Sequence, residues 1–335
     1  MLRVGVIGYG HWGPNYARLL ETLPRVDLTA IGDRLAARQA VATERHPAVA
    51  VVGSVDEVLA TAPDAVVVAT PAETHLSIGL AALAAGCHVL IEKPMGLDAA
   101  EVAALVAAAD DAGRTLMVDH TYLFSDGVDE VVGIVRSGAL GGPFTYRSTR
   151  TNPGSVDGEV GLLRDLAVHD LSILDRVHGG LPASVSAQAR ADGPVGSQLV
   201  DLSLVYADGS QAEITVGWGT DHRARLVVLE SVHATVVYDD LALGAKVRLL
   251  PQVSEAARRV VVHDEESDRA VDAPSADREP LRRAIEHFIR SVAAAEAPST
   301  DGGSALRVAQ VLDAGQRSIE RDGRVERLDE LGAHR

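Results

Sequence analysis

Cysteine is almost missing from this chain of 335 residues: Cys87 stands alone, which excludes an internal disulfide and any multi-cysteine metal site. Basic residues are outnumbered, with 31 Lys and Arg against 47 Asp and Glu and a formal net charge of −16. No basic stretch interrupts that acidic balance, so a nucleic-acid partner is not expected. No apolar run approaches the roughly 20 residues that span a bilayer. The first strand-like run begins at Leu2, leaving no room for a signal peptide, and a cytoplasmic protein without membrane attachment is the expectation. Internal repeats are lacking, and low complexity goes no further than alanine enrichment. No three candidate ligands stand at metal spacing, so no metal is expected.

What is present begins at the first strand. Leu2-Arg3-Val4-Gly5-Val6-Ile7 is a short apolar run that leads into Gly8-Tyr9-Gly10-His11-Trp12-Gly13, and residues 15–20 read as helix. A buried strand, a G-x-G-x-x-G turn and a helix opening there form the fingerprint of a dinucleotide-binding βαβ unit. Gly8 allows the tight turn, Gly10 lets backbone approach a pyrophosphate, and Gly13 lets helix pack close on strand. The diphosphate then rests at the positive end of the helix. His11, Trp12 and Tyr16 surround the turn, and Trp12 either walls a nicotinamide pocket or packs.

A second strand, residues 26–31, leads to Asp33. An acidic residue there accepts hydrogen bonds from adenosine ribose hydroxyls and repels a 2′-phosphate, which favours NAD, with NADP kept open because Arg34 stands next to it. Asp33 also suits the N-cap of the helix at 35–45. Further strands are expected near 48–52, at 65–69, at 88–91 and at 115–118, with helices at 76–85 and 98–112. The strand at 65–69 stops at Thr70-Pro71, with His75 opening the next helix. The strand at 88–91 is followed directly by Glu92-Lys93-Pro94. This alternation predicts a doubly wound parallel sheet over residues 1–122. Past residue 123 the pattern changes to helices at 129–137 and 162–178 and a series of strands, the last at 260–262. It predicts an α+β domain over 123–335 whose large, mostly antiparallel sheet is covered by helices on one face. Residues 264–279 read as a surface loop, and two helices, 281–295 and 303–320, close the chain, free to pack back on the first domain. The open face of the second sheet is the expected contact of a homo-oligomer, a dimer or a tetramer.

Lys93 falls at the carboxyl end of a central strand, where open α/β sheets bind ligands. An ammonium there can bond both the cofactor side and a substrate hydroxyl; the plain alternative is a surface salt bridge with Glu92. Asp165 and His169 stand four apart on the helix at 162–178 and share a face. Histidine titrates near neutrality and suits the base that removes a hydroxyl proton as hydride leaves. An ion pair on a solvated helix is the plain alternative. Asp170 lies near the buried stripe and reads as a structural acid. His120 and Tyr122 end a strand at the same sheet edge as Lys93. His178, His222, His233, His263 and His334 show no partner spacing.

The glycine turn, Ala69-Thr70-Pro71 with His75, Glu92-Lys93-Pro94, and Asp165 through Asp170 together resemble the glucose–fructose oxidoreductase, inositol dehydrogenase and rhizopine-catabolism (Gfo/Idh/MocA) family. Glu279-Pro280-Leu281 and Thr300-Asp301-Gly302 are similar to its closing segments. Residues 10–15, 120–122 and 149–154 resemble the branch acting on sugars or nucleotide sugars in polysaccharide and antibiotic pathways. The resemblance implies an NAD(P)-dependent dehydrogenase that interconverts a ring hydroxyl and a ketone, expected at C3, on a carbohydrate-like substrate. It implies Lys93, His169 and Asp165 as catalytic residues. It places Gly8, Gly10, His11, Trp12, Gly13, Asp33, Arg34, Thr70, Pro71, His75, Glu92 and Lys93 around the cofactor. Lys93, Tyr122, Arg150, Asn152, Asp165 and His169 are then the residues expected around substrate. An inositol or aminocyclitol dehydrogenase is the alternative enzyme. A dinucleotide-sensing regulator without catalysis is the alternative class, and it should have lost the lysine or the histidine.

Overall fold

The computed structural model describes residues 1–153, 161–190, 198–251 and 279–328. The chain divides into two units, Met1–Thr121 with Glu279–Ala309, and Tyr122–Arg278 with Gln310–Arg335.

The first unit holds six parallel strands in the order β3-β2-β1-β4-β5-β6. These are β1 (Leu2–Ile7), β2 (Val26–Gly32), β3 (Ala50–Val52), β4 (Ala65–Val68), β5 (His88–Glu92) and β6 (Leu116–Asp119). Strand order reverses at the β1/β4 neighbours, and a doubly wound sheet binds its ligands at the carboxyl ends beside such a reversal. β4 is Ala-Val-Val-Val and buried throughout, as a central strand covered on both faces must be. The helices are α1 (Gly13–Thr22), α2 (Ala36–Arg45), α3 (Val55–Ala60), α4 (His75–Ala84) and α5 (Ala99–Ala112). The sequence reading misses α3, a single short turn that Ser54 caps by accepting from the Glu57 amide at 3.3 Å. The glycine turn is forced by contact. A Cβ on Gly13 would lie 2.1 Å from the Gly8 carbonyl oxygen, and Gly8 itself has φ +96°. Thr300 ties the closing segment to β6, its hydroxyl donating to the Val118 carbonyl at 2.7 Å.

In the second unit eight strands follow the order β13-β12-β11-β7-β10-β9-β8-β14. They are β7 (Thr145–Asn152), β8 (Ser184–Arg190), β9 (Gln198–Val205), β10 (Gln211–Trp218), β11 (Ala224–Glu230), β12 (Ala234–Asp239), β13 (Val247–Pro251) and β14 (Glu326–Arg327). The pairings are antiparallel except at the centre, where β7 and β10 run parallel in register Thr145↔Gln211 through Asn152↔Trp218. A parallel neighbour needs a long crossover, and the helix and two strands between β7 and β10 supply one. One face carries Arg147, Glu213, Thr215 and Asp201. Arg147 Nε donates to Glu213 at 2.7 Å and Thr215 donates to Asp201 at 2.6 Å. The open face is therefore mixed: it carries these polar contacts, and the registers place Leu226, Val228 and the exposed Val205 on it as well. Helix α6 is Asp126–Arg136 and α7 is Val168–His178. Where one continuous helix is expected from 162, the segment Leu163–Ala167 just ahead of α7 is a π-helical turn. Helices α8 (Pro280–Ala294) and α9 (Gly302–Glu320) close the chain. The strand expected at 260–262 and nearly all of the loop expected at 264–279 lie outside the described residues. No described helix is long and apolar enough to cross a membrane.

Candidate active site

In the first unit the site starts at the end of β1. Trp12 is the N-cap of α1 and gives it no side-chain hydrogen bond, so the helix start is open to an anion. Gly8 and Gly13 are bare because the fold leaves no room for a side chain. Gly10 differs: a Cβ there would meet only the flexible end of Arg38, at 3.3 Å. Its bareness is not demanded by the protein interior, which fits a surface kept clear for a diphosphate. Trp12 is 40% exposed, with the His11 ring edge-on at 5.5 Å.

Asp33 follows β2 and is buried. Its Oδ2 accepts from the Tyr9 amide at 2.8 Å and its Oδ1 from the Leu35 amide at 2.9 Å. The carboxylate thus clamps the glycine turn to the chain just ahead of α2, whose N-cap is Leu35 rather than the expected Asp33. Arg38, which sequence reasoning passed over in favour of Arg34, stands 3.6 Å from Asp33 Oδ2. Its signal was its place in the first turn of α2; both arginines are exposed, and it is Arg38 that lies near Asp33. His75 is 1% exposed and joins two turns: its Nδ1 lies 2.8 Å from the Pro94 carbonyl and its Nε2 2.8 Å from that of Thr70. Burial holds its pKa below the ordinary value. It stands between the Thr70-Pro71 turn and the Lys93 turn; a neutral imidazole donates to one of the two carbonyls, and only an imidazolium would donate to both.

Glu92 ends β5 and is buried, so it is not half of a solvated pair with Lys93. Its Oε2 accepts from the Lys93 amide at 3.0 Å, and its Oε1 meets the Tyr16 hydroxyl at 2.8 Å. The same hydroxyl is hydrogen-bonded to Asp119 at the end of β6. Burial, then the Asp119 charge, pushes Glu92 up to about 8, and burial pushes Asp119 up to about 6. Tyr16 is raised well above its ordinary value, by burial first and then by both acids. Asp119 was missed; its signal is a single acid closing the apolar strand Leu116-Met117-Val118. His120 is 2% exposed, and neither ring nitrogen has a hydrogen-bond partner among the described residues. Burial, then the nearby Lys93 ammonium, lowers its pKa to about 3, so it is a neutral imidazole beside that lysine. Lys93 itself is half-buried.

In the second unit the Tyr122 and His169 rings lie 4.6 Å apart, tilted by 57°. The Arg150 guanidinium sits 4.6 Å from the centroid of the Tyr122 ring. Arg150, expected to touch substrate, is instead 3% exposed and held from behind: its Nε donates to Asp170 Oδ2 at 2.7 Å. Tyr146 donates to the other Asp170 oxygen at 2.9 Å, and Asp170 is fully buried, as a structural acid should be. Arg225 was missed. It donates to the Tyr122 hydroxyl at 3.3 Å, to Asn152 Oδ1 at 2.7 Å and to the Thr151 carbonyl at 2.8 Å. It thereby fixes two residues named from sequence, and its signal was only an arginine directly ahead of the apolar run at 226–229. Trp218 Nε1 donates to Asp165 Oδ2 at 3.1 Å, so Asp165 is anchored from β10. A π-turn widens the helix here, which is where such turns tend to mark function. Among the described residues no group of three or more His, Cys, Asp or Glu could hold a metal.

Residues 2–120 match a family model described as the oxidoreductase family with an NAD-binding Rossmann fold, and residues 128–236 match the GFO/IDH/MocA C-terminal domain. The chain is 34% identical over 190 residues to a UDP-N-acetylglucosamine 3-dehydrogenase of Acidithiobacillus ferrooxidans, covering 56% of this chain and 57% of that protein. It thus spans little more than half the length of that relative in the alignment. It is 27% identical over 258 residues to an inositol 2-dehydrogenase of Rhodococcus erythropolis, covering 74% of this chain and 75% of the other. A solved structure of the A. ferrooxidans 3-dehydrogenase superposes with a TM-score of 0.79 at 25% identity, over 96% of this chain and 98% of that one.

The Arg150–Asp170 pair supports the Tyr122 ring, and it is buried on both sides. Asp170→Asn keeps the shape but strands a buried guanidinium, and breaking such a pair costs about 3–5 kcal/mol. Denaturant unfolding of the variant should show a loss of that size. A loss under about 1 kcal/mol would mean that Arg150 finds another anion.

Proposed function

Because the chain belongs to the Gfo/Idh/MocA oxidoreductase family, we propose that it interconverts a ring hydroxyl and a ketone on a sugar, nucleotide sugar or glycoside, at C3. The observation that carries this reading is the Lys93 turn. A half-buried ammonium follows the last residue of β5, at the carboxyl edge of the sheet whose β1 ends in the bare glycine cradle. Bound NAD(H) supplies the hydride acceptor or donor. Gly8, Gly10 and Gly13 leave room for its diphosphate, and Asp33 takes the adenosine ribose. Lys93 bonds the reacting oxygen and favours the alkoxide that develops as hydride leaves. His169, as a neutral imidazole, accepts the hydroxyl proton, and as imidazolium returns it in the reverse direction. Asp165, anchored by Trp218, orients His169 or bonds a neighbouring hydroxyl. Tyr122 and Asn152, both fixed by Arg225, offer the sugar a ring face and an amide. Joining Lys93 to His169 in one reaction rests on the family resemblance of their two motifs.

The C3 position and the nucleotide-sugar class draw support from the relative named for UDP-N-acetylglucosamine. An inositol is the second reading, supported by a relative named for inositol over three quarters of its length. Screening NAD⁺ and NADP⁺ reduction against nucleotide sugars, free sugars, cyclitols and aminoglycosides separates the two. Turnover of cyclitols alone would replace the sugar reading.

NADH should bind more tightly than NADPH, since Asp33 repels a 2′-phosphate. Asp33→Ala should narrow or invert the gap, because Arg38 would then face that phosphate unopposed. Fluorescence titration of both cofactors checks this, and a wild-type preference for NADPH would hand the pocket to Arg34 and Arg38.

Lys93→Met and His169→Ala should each leave NAD(H) affinity intact while turnover falls. General acid–base catalysis contributes about 10²–10⁴ in rate, which is roughly 3–5 kcal/mol of barrier. In the oxidative direction kcat/KM should fall below an apparent pKa in the histidine range, because the base must be neutral. A His169→Ala enzyme within about threefold of wild type, with the same acid limb, would return the proton to Tyr122 or Lys93.

A further inference from the structure

Three buried oxygens meet beside the Lys93 turn in the first unit: Tyr16 Oη, Glu92 Oε1 and Asp119 Oδ2. The phenol lies 2.8 Å from Glu92 Oε1 and is hydrogen-bonded to Asp119 Oδ2. Tyr16 is 0% exposed, Asp119 1% and Glu92 7%, so water does not separate them. A phenol carries one proton and can donate to one carboxylate only. The second contact therefore needs a proton of its own, and only a carboxyl group can hold it. Two ionised carboxylates would leave one buried contact between lone pairs alone, which a dry interior strongly disfavours.

The outer oxygens narrow the choice. Asp119 Oδ1 accepts from Thr121 Oγ1 at 2.9 Å, and Glu92 Oε2 accepts from the Lys93 amide at 3.0 Å. The proton thus sits on an inner oxygen, facing Tyr16. Burial raises both acids, and Glu92 is raised further by the Asp119 charge, which places the proton on Glu92. The chain of donors runs Glu92 O–H to Tyr16, then Tyr16 O–H to the Asp119 carboxylate.

We propose that Tyr16 is a positioning residue: it holds Glu92 as a neutral carboxylic acid, so that one buried negative charge rather than two stands beside Lys93. This rests on the proposed role of Lys93. A second charge would grip the ammonium and weaken its hold on a substrate oxygen. The titratable groups facing Glu92 are Tyr16 from α1, Asp119 from β6 and Lys93 from its own turn. His120, at the end of β6, is neutral.

The charge state also sets a stability slope. Glu92 ordinarily titrates at 4.5 and is raised to about 8, so its contribution is complete below 4.5 and lost as pH rises through 8. Asp119, raised from 3.8 to about 6, acts in the same direction lower down.

The test needs no substrate. Infrared difference spectra of wild type against Glu92→Gln, in the cofactor-free protein at neutral pH, should show a carboxylic-acid C=O stretch that the variant lacks. In wild type that band should titrate away near the upper pKa. Tyr16→Phe should move its midpoint downward by about one pH unit, because the Glu92 proton loses the oxygen that accepts it. Lys93→Met should also move the midpoint upward, since the ammonium favours ionised Glu92. From about pH 5 to about pH 9 the melting temperature of Glu92→Gln should fall less than that of wild type. Absence of the band at neutral pH, or a midpoint that Tyr16→Phe leaves unchanged or raises, overturns the proposal. If Tyr16→Phe does not fold, the Glu92→Gln comparison still decides. Full turnover by Lys93→Met with the band intact would instead overturn the functional reading and leave the shared proton standing.

Discussion

The carbonyl oxygen of Gly8 and the missing Cβ of Gly13 set the geometry on which the first unit depends. With 2.1 Å between that oxygen and the position a Cβ would take, any side chain at Gly13 would push α1 off the sheet. Close docking of α1 does two things at once. It aims an uncapped helix start at the end of β1, and it buries Tyr16, one turn further on, against the ends of β5 and β6. A cofactor cradle and the floor beneath Lys93 are thus consequences of one contact. Asp33 reinforces it from the other side by bonding the Tyr9 amide within the turn.

Much of this was legible in the sequence, because it is written in short-range terms. Glycine spacing, a strand too apolar to be anything but central, and acids or prolines that interrupt strand ends are local signals. The six-strand parallel sheet and the long antiparallel series follow from them. What was not legible required side chains to meet across the fold. Nothing about Asp119 marks it as the partner of Tyr16, more than a hundred residues earlier. Arg225 reaches Tyr122 and Asn152 across the second sheet, and no spacing rule connects them. Arg150 shows the opposite error. Its place in a motif suggested contact with substrate, whereas its burial under Tyr122 makes it a support for that ring.

The helix that carries His169 shows why periodicity reaches only so far. Spacing of four puts Asp165 and His169 on one face of an ideal helix. The π-turn at Leu163–Ala167 alters that offset, and the anchor from Trp218, on a different strand, fixes where Asp165 ends up. A wider turn gives up helix hydrogen-bond geometry, so it persists where neighbouring contacts enforce it.

Each proposed proton-handling residue has a buried acid as its immediate neighbour in sequence, Glu92 before Lys93 and Asp170 after His169. Each acid is gripped by a buried tyrosine, Tyr16 in one unit and Tyr146 in the other. The two units answer the cost of a buried carboxylate differently. Asp170 is offset by a counter-ion, since Arg150 donates to it within the dry interior. Glu92 has a second acid within the same cluster, and the contact count there requires a proton. A guanidinium does not titrate in the working range, so Arg150 keeps its positive charge beside Asp170. A carboxyl raised to about 8 does titrate close to that range. The carboxyl beside Lys93 can therefore respond to pH.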